Sequence, residues 1–221
     1  APYLVTSALF LAALAPLALA PKSPPDLAAH GRMRLGPLVA AAPVATIAAL
    51  VFGAVETGAF SQLPLYGLRI GLSEPDAALL ITWTVLGNLA FQIPLGALSD
   101  RIDRRIVLFA CSLFGALGCA LMPAVSTMPL PQAVLLFFWG GIIGAIYTVG
   151  LAHLGARFSG ADIAQANAAF VMLYSFGLIA GPPYVGAGMD ALGSVGFPLT
   201  MGALIAAYAA LVGWRLARGQ A

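Results

Sequence analysis

The stretch Gly96-Ala97-Leu98-Ser99-Asp100-Arg101-Ile102-Asp103-Arg104-Arg105-Ile106-Val107-Leu108 decides how the chain is read, because it packs five charges into six positions between two long apolar runs. Charged residues are 8% of the 221 and apolar residues 61%. Each charge would cost on the order of 2.5–3.5 kcal/mol at the centre of a membrane-spanning helix. The knot therefore has to be a loop at a membrane surface, and the runs on either side of it have to enter the membrane.

Outward from the knot, the apolar runs are about 18–25 residues long, the length a helix needs to cross the hydrocarbon, and lack the alternation of a membrane barrel's strands. With a mean hydropathy of +0.98, the chain has too little polar surface to cover a water-soluble globule. The expected fold class is all-α, a polytopic membrane protein. Breaks at Pro, Gly and charge delimit seven transmembrane helices near residues 3–20, 38–60, 76–98, 106–124, 131–154, 163–187 and 195–214. The connection from Pro21 to Gly36 is the longest and richest in Pro, and reads as a linker between two bundles. Residues 1–20 are then the last helix of an upstream bundle, 21–36 a cytoplasmic linker, and 37–221 a six-helix bundle. The chain opens Ala1-Pro2 without Met, as a fragment or processed product would. Ala18-Leu19-Ala20 looks like a signal-peptidase site, but no basic segment precedes the apolar run.

Nine of the ten basic residues, Lys22, Arg32, Arg34, Arg101, Arg104, Arg105, Arg157, Arg215 and Arg218, fall in alternate connections or at the C-terminal end; Arg69 alone falls on the other side. By the positive-inside bias the knot and the C-terminus face the cytoplasm and the N-terminus of this chain faces out, in a plasma membrane, expected to be a bacterial inner membrane. A net charge of +2 spread over loops speaks to topology and not to nucleic acid. Cys111 and Cys119 lie in one apolar run and read as small packing residues, not as a disulfide or metal pair. No spacing of His, Cys and carboxylates suits a metal, no nucleophile has a base a turn away, and no glycine loop cradles phosphate, so neither an enzyme nor a cofactor is expected.

Composition does not account for Glu56, in Gly53-Ala54-Val55-Glu56-Thr57-Gly58. A lone carboxylate within a membrane span is a functional-site candidate by default, as a group that can take up and release a proton. The competing reading is a carboxylate that bonds a neighbouring helix or reaches a water-filled vestibule. Other polar residues can share a cavity with it: Gln62 on its own helix and, on other spans, Asn88 and Gln92 four apart on one face, Tyr147, and Asn167 and Tyr174 seven apart on one face. Each alone can also serve as glue between helices. His153 falls one turn before Arg157, near the membrane surface. Gly177-Leu178-Ile179-Ala180-Gly181-Pro182-Pro183-Tyr184-Val185-Gly186 combines close-packing glycines with two residues that lack a backbone donor, which reads as close packing or as a flexure.

The knot also carries a resemblance. Gly96-x-Leu98-Ser99-Asp100-Arg101-x-x-Arg104-Arg105 resembles the cytoplasmic loop signature of the major facilitator superfamily, with Asp103 standing where the family pattern has Gly. Gly181-Pro182 looks like the glycine-proline element of these carriers. The resemblance implies spans six to twelve of a twelve-span secondary transporter: its C-terminal half, forming a facilitator-type bundle, plus one helix of a missing N-terminal half. It also implies alternating access about a central site. The resulting expectation is a transporter of a small solute, coupled to protons through Glu56. A uniporter, a sodium-coupled carrier and a non-transporting receptor or assembly protein of the same fold are the alternatives.

Overall fold

The computed structural model describes residues 35–219 together with Ser7, Leu11 and Ala12. The chain divides into two compact units, Ala1–Arg32 and Met33–Ala221. In the first, the described residues Ser7, Leu11 and Ala12 are helical and exposed, and the expected span at 3–20 otherwise lies outside the described residues. So does most of the expected linker; its last two residues already belong to a short helix, α1 (Leu35–Ala41).

Six long helices follow: α2 (Pro43–Arg69), α3 (Glu74–Ser99), α4 (Arg104–Val125), α5 (Pro129–Gly155), α6 (Ala161–Leu192) and α7 (Gly196–Ala217), with a 3-10 turn at Gly193–Val195. Among the described residues there is no strand. Local chemistry fixes the helix starts. Pro opens α2 and α5, where a missing N–H costs nothing. Ser73 caps α3 by accepting the Asp76 amide at 3.3 Å, and Glu74 and Asp76 place negative charge at the positive end of the helix dipole.

Five helical stretches are long and apolar enough to cross a membrane: α2, α3, α4, α5 and Asp162–Ala217. The last has 56 residues and if straight would be about 84 Å long, well beyond the ~30 Å of hydrocarbon. It turns back on itself at Gly193, whose φ of 67° is one that glycine adopts freely. Beyond the turn Gly196 lies against the Gly188 backbone, and Gly188 against Thr200, so the stretch comprises both α6 and α7. These six helices stand where six spans are expected after the linker; α2 and α7 start later than expected, at Pro43 and Gly196, and the other ends run longer. The largest extension is in α2, which runs on through Gln62 and Pro64 to Arg69. Membrane helices tolerate an internal proline when neighbours satisfy the freed carbonyl.

Arg69, Glu74, Asp76 and Asp190 lie at one end of the bundle; the knot, His153, Arg157 and Arg215 lie at the other. The most extensive contacts pair α2 with α6, α3 with α5 and α4 with α7. The main core gathers Trp139, Phe197, Met201, Ile205 and Tyr208 with the inner faces of α2 and α4, and a smaller cluster at the knot end centres on Phe170 and Leu154. Tyr208 ties α7 to the start of α2 by donating its hydroxyl to the Val44 carbonyl at 3.0 Å. Burial is uneven: 67% of the most apolar stretch of α2 is buried against 11% for α3. Leu79, Leu86, Leu89 and Ile93 of α3 are left uncovered by the described residues.

Candidate functional site

Glu56 is the central residue of α2, thirteen positions from Pro43 and thirteen from Arg69, or about 20 Å from either end. It is half-buried and lines a cavity of about 30 Å³ together with Phe52 and Ala59 of its own helix, Thr84 and Asn88 of α3, and Trp139 and Ile143 of α5. That is room for a water molecule or two. Among the described residues, Glu56 is the one charged side chain in the lining.

The carboxylate is held from across the bundle. The Tyr174 hydroxyl of α6 donates to Glu56 Oε2 at 2.5 Å, a charge-assisted bond when the carboxyl is ionised. Tyr147 of α5 packs edge-on to Tyr174, at a centroid distance of 5.3 Å, and tilted against Phe52 at 5.2 Å. Phe52 in turn stacks on Tyr174 at 6.1 Å. Two aromatic rings from two other helices, Phe52 of α2 and Tyr147 of α5, thus fix the phenol that binds the carboxylate.

Of the residues expected to share a cavity with Glu56, Asn88 lines it directly, Tyr174 bonds the carboxylate, and Tyr147 supports Tyr174. Gln62 lies farther along α2, where its amide donates to the Pro182 carbonyl at 3.5 Å and approaches Gly186. Gln92 is exposed on α3 and does not line the cavity. Asn167 is exposed near the knot end, in a separate hollow with Leu151, Leu154 and Ile163. Its seven-residue spacing from Tyr174 keeps the two on one face but about 10 Å apart along the axis. Trp139 and Thr84 belong to the site without having stood out in the sequence. Trp139, 2% exposed, is oriented by its indole N–H, which donates to the Gly115 carbonyl at 3.0 Å.

The glycine-proline segment lies inside a continuous helix. Gly177 and Gly181 are where α6 touches α2: a Cβ on Gly177 would run into the Leu50 carbonyl oxygen, and one on Gly181 into the backbone of Ala54. At the far end of this contact Arg69 donates to the Met189 carbonyl and, at 2.8 Å, to the Asp190 carboxylate.

In the knot, Ser99 closes α3 by donating to the Gly96 carbonyl at 2.8 Å, and Leu98 and Arg101 are exposed. Arg104 pairs with Asp100 at 3.2 Å across the turn, an exposed i,i+4 contact. Asp103, which departs from the signature, has an identifiable role. It is the N-cap of α4, accepting the Arg105 amide at 2.9 Å while its second oxygen takes the Arg105 guanidinium at 2.6 Å. The hydrogen bond from the Arg105 side chain is the main reason its carboxyl is held below the ordinary aspartate range. Its φ of −55° is open to any residue, so the turn does not need glycine.

A family model described as Major Facilitator Superfamily matches residues 45–220. The chain belongs to the Major Facilitator Superfamily. Over 131 residues, 59% of this facilitator chain, it is 31% identical to the uncharacterized MFS-type transporter YfkF of Bacillus subtilis (strain 168), of which the match covers 33%. Over 135 residues, 61% of the chain, it is 26% identical to the uncharacterized MFS-type transporter Ent638_1421 of Enterobacter sp. (strain 638), of which the match covers 34%. The match thus spans about a third of each relative's length. No solved structure matches the chain. The family match takes in α2 through α7, with Glu56, its cavity and the knot.

Proposed function

We propose that this facilitator chain is the C-terminal half of a secondary carrier that moves a small solute by alternating access, coupled to protons. The observation that carries the reading is Glu56: a carboxylate at the midpoint of a membrane helix, in a water-sized cavity, bonded by a tyrosine of another helix. Such a group is neutralised when it binds a proton and is again an anion when it loses one. Tyr174 rewards the anion with a charge-assisted bond, so protonation changes how tightly α6 is held to α2. That is a differential interaction of the kind a two-state cycle needs.

In this reading residues 1–20 are the last helix of an N-terminal half, residues 21–36 a cytoplasmic linker, and the uncovered face of α3 borders the other half or lipid. The seven spans lie in a bacterial inner membrane with the knot in the cytoplasm. The knot is a latch whose Asp100–Arg104 pair forms in one end state. A carrier needs no cofactor, and no chemical conversion is assigned to the site.

The test uses everted membrane vesicles containing the whole carrier. Solutes from a panel of small organic cations, anions and neutral molecules are added, and collapse of an imposed pH gradient is read with an acridine dye. A solute that collapses the gradient with the wild type and fails to do so with Glu56→Gln supports the reading. Equal collapse with both would exclude Glu56 as the coupling group, and uptake of a solute without any proton movement would favour a uniporter.

A further inference from the structure

The peptide nitrogen of Pro182 carries no hydrogen, so the carbonyl four residues earlier, Leu178, loses its donor within α6. An unbonded carbonyl at membrane depth is strongly unfavourable, because no water is there to replace the donor. The missing donor comes from another helix. The Thr57 hydroxyl of α2 lies 3.0 Å from the Leu178 oxygen and 2.8 Å from the Gly53 oxygen one turn back on its own helix. A hydroxyl has one proton to give. The Gly53 carbonyl already has the Thr57 amide, as any residue four positions back in a helix does, whereas the Leu178 carbonyl has lost its intrahelical donor.

We infer that Thr57 is a positioning residue: its hydroxyl takes the place of the amide proton that Pro182 lacks and clasps α6 to α2 beside Glu56. The two possible acceptors make the clasp reversible. With the proton on Leu178 the helices are joined. With the proton returned to Gly53, α2 keeps all its bonds and α6 is free to bend at Pro182.

The neighbouring contacts support a clasp at this level of the bundle. Glu56 and Thr57 are adjacent on α2, and their partners Tyr174 and Leu178 are one turn apart on α6. Gly53 and Gly177 bring the two backbones into contact on this turn, and Gln62 reaches the Pro182 carbonyl one turn on. The placement of Thr57 stands on these contacts alone. Opening and closing of the clasp during transport rests on the carrier reading.

The test is amide hydrogen exchange on the whole protein in lipid nanodiscs, with peptides covering residues 174–188 followed by mass spectrometry. Thr57→Val keeps the branched shape and removes the donor; exchange in this segment rises by up to about tenfold, the equivalent of one net hydrogen bond. Thr57→Ser restores the wild-type rate. Pro182→Ala returns an N–H to α6, so Thr57→Val has no further effect in that background, and rescue of a poorly folding Thr57→Val by Pro182→Ala counts equally in favour. Unchanged exchange in Thr57→Val, or the same acceleration with and without Pro182, overturns the inference. Exchange requires no solute and no Glu56 titration, so the clasp and the carrier reading fail separately.

Discussion

Gly181→Ala sets two effects of known size against each other. Alanine is favoured over glycine inside a helix by about 0.8–1.0 kcal/mol. Against this, the new Cβ would meet the oxygen, carbonyl carbon and Cα of Ala54, all backbone atoms of the most buried helix. Overpacking costs about 1–3 kcal/mol when side chains can yield a little. A helix backbone yields less than a side chain, so the upper end applies, and the net effect is a destabilisation of about 2 kcal/mol. The separation it forces also strains the Thr57–Leu178 and Tyr174–Glu56 bonds, which lie one and two turns away on α6. Gly155→Ala is the control: nothing lies within 4 Å of the position its Cβ would occupy, so it is neutral or stabilising by up to about 1 kcal/mol. Reversible unfolding in mixed detergent–SDS micelles, followed by tryptophan fluorescence, gives both values. If Gly181→Ala is as stable as wild type, the close approach of α2 and α6 is not what those glycines are for.

Asp103→Asn keeps an oxygen to cap α4 and removes the ion pair with Arg105. Because the Asp103 carboxyl is held low in the folded protein, its contribution is present above its unfolded pKa of about 3.9 and is lost as pH falls through the lower folded value. The wild type therefore exceeds Asp103→Asn in unfolding midpoint at pH 7, and the gap closes below about pH 4; a gap independent of pH would place the effect elsewhere. Asp100→Asn slows transport by the whole carrier in proteoliposomes and leaves membrane insertion intact, since the Arg104–Asp100 pair is too exposed to matter for folding. Wild-type rates would remove the latch.

What the sequence showed clearly was whatever hydrocarbon penalises. Five charges around Asp100–Arg105 had to leave the membrane, and the helices on either side end within a few residues of where that argument puts them. Glu56 stood out for the same reason, as the charge that did not leave. Contacts between distant segments were not legible. Thr57 and Leu178 are 121 residues apart, and nothing local marks a threonine as the donor for another helix's proline gap. Asn167 shares a face with Tyr174 through a seven-residue repeat and so reads as a neighbour of the Glu56 cavity, but a face says nothing about depth. Asp103 was unexplained when set against the family's glycine and becomes plain as a helix cap, which depends on where α4 starts. Trp139 sits in an unbroken apolar run, and only the folded chain brings its indole to Gly115 and its ring to the Glu56 cavity.

In the proposed cycle Glu56 exchanges a proton each time the carrier turns over. The most direct measurement is simultaneous solute and proton flux in proteoliposomes containing the whole protein, using a solute found with the everted vesicles. Coupling through Glu56 predicts a fixed proton-to-solute ratio in the wild type, and in Glu56→Gln loss of proton flux with any residual solute movement running only down its own gradient. Proton flux that persists in Glu56→Gln at the wild-type ratio would contradict it.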